Sequence, residues 1–250
     1  LKLSSNLTVT ISIVSHGHGS MVIDLLNDIQ SSYKNVQVIL TLNIPESKDF
    51  KIPDYAFPLY IIQNALPKGF GANHNAAFMK VNTPLFLVLN PDVRIGSSID
   101  FSSLEISLQK LNADVLGAKV VDSTGNIQDS ARFFPTIPDL IKRTFFRSKG
   151  YLNLDYDVNL DAQAVDWVVG MFMLFSSEGY RRLGGFNEKY FLYFEDVEIC
   201  QRIKAGGRQV IWFVSQWIEH DAQRDSKRRV KYTLIHIKSA LRYFLTYKSL

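Results

Sequence analysis

Apolar residues along this chain follow two rhythms. In LTVTISIVSH, Leu7 to His16, β-branched residues alternate with polar ones, which predicts a first strand ending near Ser15. SMVIDLLNDIQSS then places Met21, Val22, Leu25, Leu26 and Ile29 at helical spacing. NVQVILTLN reads as a second strand and PLYIIQN as a third. GFGANHNAAFMKV reads as a loop opening a helix, and PLFLVLN as a fourth strand, apolar from Leu85 to Leu89. Strand, helix, strand, strand, helix, strand predicts an α/β fold with a largely parallel sheet flanked by helices.

The second half continues the pattern. GSSIDFSSLEISLQKL is a predicted helix, and ADVLGAKVVDSTGNIQDSARFFP a short strand, a turn at Ser123 to Gly125 and a return. Residues 139–165 are polar and irregular, as in a mobile loop or a short helical insertion. From VDWVVGMFMLF to GGRQVIWF the order is strand, helix, loop, helix, strand. No repeat or linker divides the chain, so residues 1–220 are expected to form one domain, followed by a basic helical tail at 221–250.

Composition narrows the class. A chain of 250 residues, 46% hydrophobic and 21% charged, can bury a core and is not disordered. Its one cysteine, Cys200, allows no internal disulfide and no cysteine-built zinc cluster, which fits a reducing cytosol. No apolar run approaches the roughly 20 residues of a spanning helix, and no signal-peptide pattern opens the chain. It begins with Leu1 rather than Met, which leaves open that it is one module of a longer polypeptide. The net charge is +4. Residues 221–250 hold eight basic side chains against Asp221 and Asp225, so the tail is positive and the rest slightly negative. That end is expected to meet an anionic partner; no nucleic-acid motif accompanies the charge.

Polar residues gather where the predicted strands end. Ser15, Asn43, Asn64 and the pair Asn90 and Asp92 all stand there, and in parallel sheets ligands bind at the carboxyl ends of strands. Asp92 offers a hard oxygen on a turn stiffened by Pro91, which suits Mg²⁺ or Mn²⁺ carried with substrate phosphates. Asn-Pro-Asp also suits a plain turn. In KGFGANHNAA the dinucleotide fingerprint fails at His74. Gly69 and Gly71 would still let backbone amides approach a phosphate, or simply make a tight turn. YFLYFEDVEICQRI delivers Glu195 and Asp196 from an aromatic stretch to a helix start. A capped helix with a Glu198–Arg202 pair explains this; so does a partly desolvated general base. His220, after VIWFVSQWI, is either a structural histidine or a neutral imidazole ligand.

Together, LNPDV, KGFGANHNAA, VDWVVGMFMLF, GGFNEKYFLYFEDVEICQRI and EHDAQRDS resemble the inverting family-2 glycosyltransferases of GT-A fold, and among them the rhamnosyltransferase-like members. The resemblance runs from about Val9 to Phe244 and is most specific in the Gly-Gly-Phe to Glu-Asp block. It implies that Asn90-Pro91-Asp92 stands for the family's Asp-x-Asp motif, with Asp92 and His220 holding Mn²⁺ or Mg²⁺ on a donor diphosphate. Asp196 matches the catalytic base, with Glu195 shaping the acceptor site. Ser15, His16, Asn43, Asn64, Gly69, Gly71, Asn75, Asn90, Asp92, Trp167 and Gly170 fall on the donor side of that comparison.

The implied activity is metal-dependent transfer of a sugar to a hydroxyl of a bacterial surface polysaccharide, such as an O-antigen, or a lipid-linked glycan. The expected setting is the cytoplasm, peripheral on the inner face of the plasma membrane. The first donor is dTDP-L-rhamnose; UDP-galactofuranose or another UDP-sugar is the alternative. LNIPES departs from the family's Asp-Asn-x-Ser, so Asn43 or Glu46 would substitute; Pro67 and SHGHGS depart as well, all on the nucleoside side. A silent GT-A scaffold is a competing class, against which Asp92, Asp196 and His220 together argue. A nucleotidyltransferase would want a basic phosphate-gripping loop that SHGHGSM lacks. In the tail, Leu234, Ile237, Leu241 and Phe244 at helical spacing suit an anionic membrane, or packing on the chain's own domain.

Overall fold

The computed structural model describes residues 7–138, 155–220 and 229–247. Four parallel strands form one half of a mixed sheet: β1 (Val9–Ser15), β2 (Val36–Leu42), β3 (Leu59–Gln63) and β4 (Leu85–Leu89), in the order β3-β2-β1-β4. α1 (Gly19–Ser32) connects β1 to β2, and α2 (Phe70–Phe78) connects β3 to β4. β1 lies between β2 and β4, with Val9 opposite both Val36 and Leu85. The polar ends Ser15, Asn43 and Asn90 therefore emerge along one rim.

Beyond β4 come the short β5 (Val93–Arg94), α3 (Phe101–Lys110) and β6 (Ala113–Val121). β6 spans nine residues where the sequence suggested a short strand. Gly125 makes the following turn at φ +84°, a backbone angle open to glycine, before β7 (Ile127–Gln128) and β8 (Ala131–Arg132). β9 (Ala162–Ala164) pairs with the later β12, so this end of the 139–165 segment is strand; residues 139–154 lie outside the described residues. The predicted VDWVVGMFMLF strand is two pieces, β10 (Trp167–Val168) and β11 (Phe172–Ser176). β10 leaves the main sheet to pair with β8, while β11 runs antiparallel between β4 and β6.

α4 (Ser177–Leu183), α5 (Glu195–Ala205), β12 (Gln209–His220) and α6 (Arg229–Thr246) complete the described elements. β12 lies parallel to β6, is bulged between Phe213 and Trp217, and pairs antiparallel with β5 at its end.

The continuous apolar run of β4 follows from burial on both faces. Leu85, Leu87 and Leu89 face a core with Val22, Leu25 and Ile29 of α1 and Leu104 and Leu108 of α3. Phe86 and Val88 face the second core, with Tyr180, Phe186, Ile199, Cys200 and Trp212. α6 packs on that second layer through Ala240, Tyr243 and Phe244, with Ser239 buried beside them; of the four residues at the predicted spacing Phe244 faces the domain, while Leu234, Ile237 and Leu241 are exposed. Tail residues 221–228 lie outside the described residues.

Candidate active site at the carboxyl ends of the strands

β4 stops where Pro91 removes the amide that a longer ladder would need. The Asn90 amide donates to the Met171 carbonyl at 3.1 Å, which ties the turn to the start of β11. The chain then crosses to the far edge, where Val93 pairs with His220. This ladder brings Asp92 Oδ2 to 3.3 Å from His220 Nε2, across 128 residues of sequence.

Gln128 determines what that histidine presents. Its amide Nε2 donates to the His220 carbonyl at 2.8 Å, so its Oε1 is the atom facing His220 Nδ1, also at 2.8 Å. Nδ1 therefore carries a hydrogen, and the neutral imidazole turns its Nε2 lone pair toward the Asp92 carboxylate. Two electron-rich atoms at 3.3 Å call for a cation between them, a proton or a metal ion. Asp92 Oδ1 is buried and has no hydrogen-bond partner. One imidazole nitrogen and one carboxylate suit Mn²⁺ or Mg²⁺. No group of three or more His, Cys, Asp or Glu side chains collects among the described residues, so other ligands would come from substrate phosphates or water.

The second carboxylate site opens α5. Tyr193 and Phe194, both at φ +67°, occupy the left-handed region just before the helix, costly for bulky residues and a feature of functional sites. Phe194 is held there by the rings of Tyr243 and Phe244, and its carbonyl accepts from the Glu198 amide at 2.9 Å. Asp196 Oδ2 accepts from the Gly170 amide at 3.1 Å and Oδ1 from its neighbour Val197 at 2.9 Å.

Burial pushes the Asp196 carboxyl above its ordinary range, against the pull of those two amides and the nearby Arg132 charge. Glu195 is pushed well above its range, first by burial and then by Asp196, and its Oε2 has no partner. The two acids are thereby separated: Glu195 favours the neutral form, and Asp196, with two amide donors, is the one fitted to carry charge. Gly170 and Met171 are consecutive. One holds Asp196 and the other holds the Asn90 turn, so a single backbone segment links the two carboxylate sites.

Sequence reasoning missed Gln128 and Arg132. Arg132 lies over the Trp167 ring, 5.2 Å from its centroid, and its Nε is 2.7 Å from Asp129 Oδ2. Neither residue sits in a motif, and Gln128 is recognisable only once His220 is beside it. Trp167 itself is buried, its indole N–H donating to the Phe133 carbonyl at 2.9 Å.

At the ends of β1, β2 and β3 the residues expected on the nucleoside side connect with one another. Ser15 Oγ donates to Glu46 Oε1, whose other oxygen accepts from the Gly19 amide at 3.1 Å, placing a carboxylate at the α1 N-terminus. Asn43 brackets Lys68 by donating to its carbonyl and accepting from its amide, at 3.0 and 2.8 Å. Asn64 donates to Asn43 and to Asn73, and His16 Nδ1 lies 3.3 Å from Asn43 Nδ2.

Three residues assigned to the donor side have other work. A Cβ at Gly69 would meet the Phe191 backbone at 2.7 Å, and the Phe70 amide donates to the Phe191 carbonyl. At Gly71 it would meet Phe186 Cβ at 2.6 Å. Asn75 donates to the Phe186 carbonyl and Glu188 and accepts from Tyr180 and the Phe186 amide, so its capacity is spent on clamping that turn. These glycines admit the loop leading to Asp196, and the Phe70 amide is not free for a phosphate. His74 is a core histidine, its Nδ1 2.8 Å from Ser12 Oγ and its pKa lowered by burial to about 3.

No protein-family model matches the chain. It is 26% identical over 244 residues to the rhamnosyltransferase WbbL of Escherichia coli K12, covering 94% of this chain and 92% of that protein. It is 26% identical over 160 residues to the N-acetylglucosaminyl-diphospho-decaprenol L-rhamnosyltransferase of Mycobacterium tuberculosis, 61% of this chain and 52% of that protein, so it spans about half of that relative. Among solved structures, GalNAc-T7 with UDP, GalNAc and Mn²⁺ superposes at TM-score 0.68 and 12% identity, covering 97% of this chain and 48% of that one. The Pyrobaculum calidifontis mannosyltransferase PcManGT with GDP-Man and Mn²⁺ gives 0.58 and 13%, covering 96% and 65%. The likeness to these structures establishes the GT-A fold, and in sequence the chain is similar to rhamnosyltransferases, over nearly its whole length in the case of the Escherichia coli protein.

Proposed function

We propose that this protein transfers L-rhamnose from dTDP-L-rhamnose, with inversion at the anomeric carbon, to a hydroxyl of a growing bacterial surface polysaccharide or lipid-linked glycan. The two rhamnosyltransferase relatives support the sugar, and the name of the mycobacterial one supports a lipid-linked acceptor. The observation that carries the chemistry is the approach of His220 Nε2 to Asp92 Oδ2, with Asp92 Oδ1 buried and unpartnered beside it. Asp92 and His220 would hold Mn²⁺ or Mg²⁺, which supplies Lewis-acid neutralisation of charge on the leaving diphosphate. Both structural neighbours named above carry Mn²⁺.

In the reaction, the acceptor oxygen bonds to the anomeric carbon as that carbon's bond to the diphosphate oxygen breaks, and the hydroxyl proton passes to Asp196. The amides of Gly170 and Val197 aim the Asp196 carboxylate before the acceptor arrives. Glu195 beside it, its carboxyl pushed well above the ordinary range by burial and by Asp196, shapes the pocket. One protein base suffices because the nucleoside diphosphate is already a good leaving group. The cytosolic face of an anionic membrane, met through the basic tail, is the setting this reading gives the enzyme.

Calorimetric titration with dTDP, UDP and GDP, each with and without Mn²⁺, tests the reading. Metal-dependent binding of dTDP, lost in Asp92→Ala, is the expected result. Metal-dependent binding of UDP alone would transfer the assignment to a UDP-sugar. Binding of no nucleotide by folded protein would overturn it.

A further inference from the structure

Helix α6 has two apolar sides, and the domain covers one of them. Ser239, Ala240 and Tyr243 turn inward: Ser239 Oγ donates to the Leu192 carbonyl at 2.9 Å, and the Tyr243 hydroxyl to Gln201 Oε1 at 3.2 Å. On the opposite side Leu234, Ile237, Leu241 and Leu245 are 64%, 49%, 59% and 65% exposed. A helix that only capped its domain would show polar residues there. Four large aliphatic side chains in one stripe mark a contact surface.

Charge selects the occupant. By helical spacing Lys238 and Arg242 border the stripe, and residues 221–250 carry eight basic side chains against two acidic ones. A second copy of the chain would bring the same positive surplus to the same face, which opposes self-pairing; an anionic lipid surface complements it. No helix among the described residues is long and apolar enough to cross a membrane, so α6 is suited to lie in the interface plane.

We propose that α6 seats the protein on an anionic bilayer, with Leu234, Ile237, Leu241 and Leu245 entering the acyl boundary and the exposed Lys238 meeting headgroup phosphates, while Arg242, over the Tyr190 ring, flanks the contact. The proposal rests on the reading of the acceptor as lipid-linked and names the surface that would bring the enzyme to it. The inward side of the same helix supports the loop that ends in Asp196: the Tyr193 and Phe194 rings lie 5.2 and 5.4 Å from His236. Membrane docking and the base thus share one structural element.

Co-sedimentation with phosphatidylcholine vesicles, with and without about one third phosphatidylglycerol, tests this. Wild-type protein is expected to bind the anionic vesicles, and the double variant Leu234→Gln, Leu241→Gln to bind at least about tenfold more weakly with an unchanged melting temperature. Wild-type protein left in the supernatant with anionic vesicles would overturn the proposal, as would a double variant that binds like wild type. Concentration-dependent dimers abolished by the same double variant would assign the stripe to a second copy and overturn it too. Nucleotide titration of the same samples without vesicles separates the two readings. Intact nucleotide binding with no vesicle binding removes the docking surface alone, whereas vesicle binding without nucleotide binding leaves the surface standing and removes glycosyl transfer.

Discussion

Gln128 and His220, 92 residues apart, share a reciprocal pair of 2.8 Å hydrogen bonds: the glutamine amide donates to the histidine carbonyl while its oxygen faces Nδ1. The contact fixes both the ring orientation and the tautomer of the histidine that faces Asp92. Replacing Gln128 by Leu is expected to weaken Mn²⁺ binding, read by electron paramagnetic resonance without nucleotide, by about 10–100-fold. Gln128→Glu keeps an acceptor at Nδ1 and should retain or raise the affinity. Equal losses in both variants would mean that Gln128 only holds β7 in place.

Asp196 is expected to matter for transfer and not for donor capture. Asp196→Asn keeps an acceptor for the Gly170 amide yet cannot take a proton, so kcat should fall by at least about 10²-fold. Calorimetric Kd for the donor nucleotide should stay within about twofold, since the base acts on the acceptor. Loss of donor binding in this variant would show that the role is wrongly assigned.

The raised carboxyls make two separable pH dependences. As the proposed base, Asp196 must be ionised to act, and burial raises its pKa, so the acid limb of kcat/KM should lie above the ordinary value of 3.8. Glu195 is raised in the folded state, so its contribution to stability is fully present below its unfolded value of 4.5 and is lost as pH rises through the folded value. Glu195→Gln removes that loss. Melting temperatures measured across pH should show wild type losing stability relative to the variant above about pH 4.5, while the acid limb of activity stays nearly in place.

Gly69 and Gly96 should respond differently to an added methyl group. At Gly69 the new Cβ meets backbone of Phe191 at 2.7 Å, and backbone cannot rotate away. Gly69→Ala is expected to cost about 1–3 kcal/mol, a fall in Tm of about 3–10 °C by calorimetry. At Gly96 nothing lies within 4 Å, and Gly96→Ala should leave Tm unchanged.

The sequence by itself determined the α/β layering, because a strand buried on both faces, such as Leu85 to Leu89, must be apolar throughout, and the amphipathic α1 must show its face at helical spacing. It also singled out Asp92, Glu195 and Asp196 as candidates, since each follows an abrupt change from apolar to acidic at an element boundary. Tertiary structure alone decided which of these meet. His220 reaches Asp92 through an antiparallel ladder closed after 128 residues, Gln128 joins them from a two-residue strand, and Gly170 presents a backbone amide that no side-chain pattern announces.

Packing also redistributed roles that local spacing had suggested. Asn75, Gly69 and Gly71 stand in a stretch like a phosphate loop but are used to admit the 186–191 loop. On α6 the small and aromatic residues Ala240 and Tyr243 face inward while the leucines face out. The reason is physical: a spacing pattern reports which residues share a face of an element, whereas what that face touches is set by segments far away in the chain.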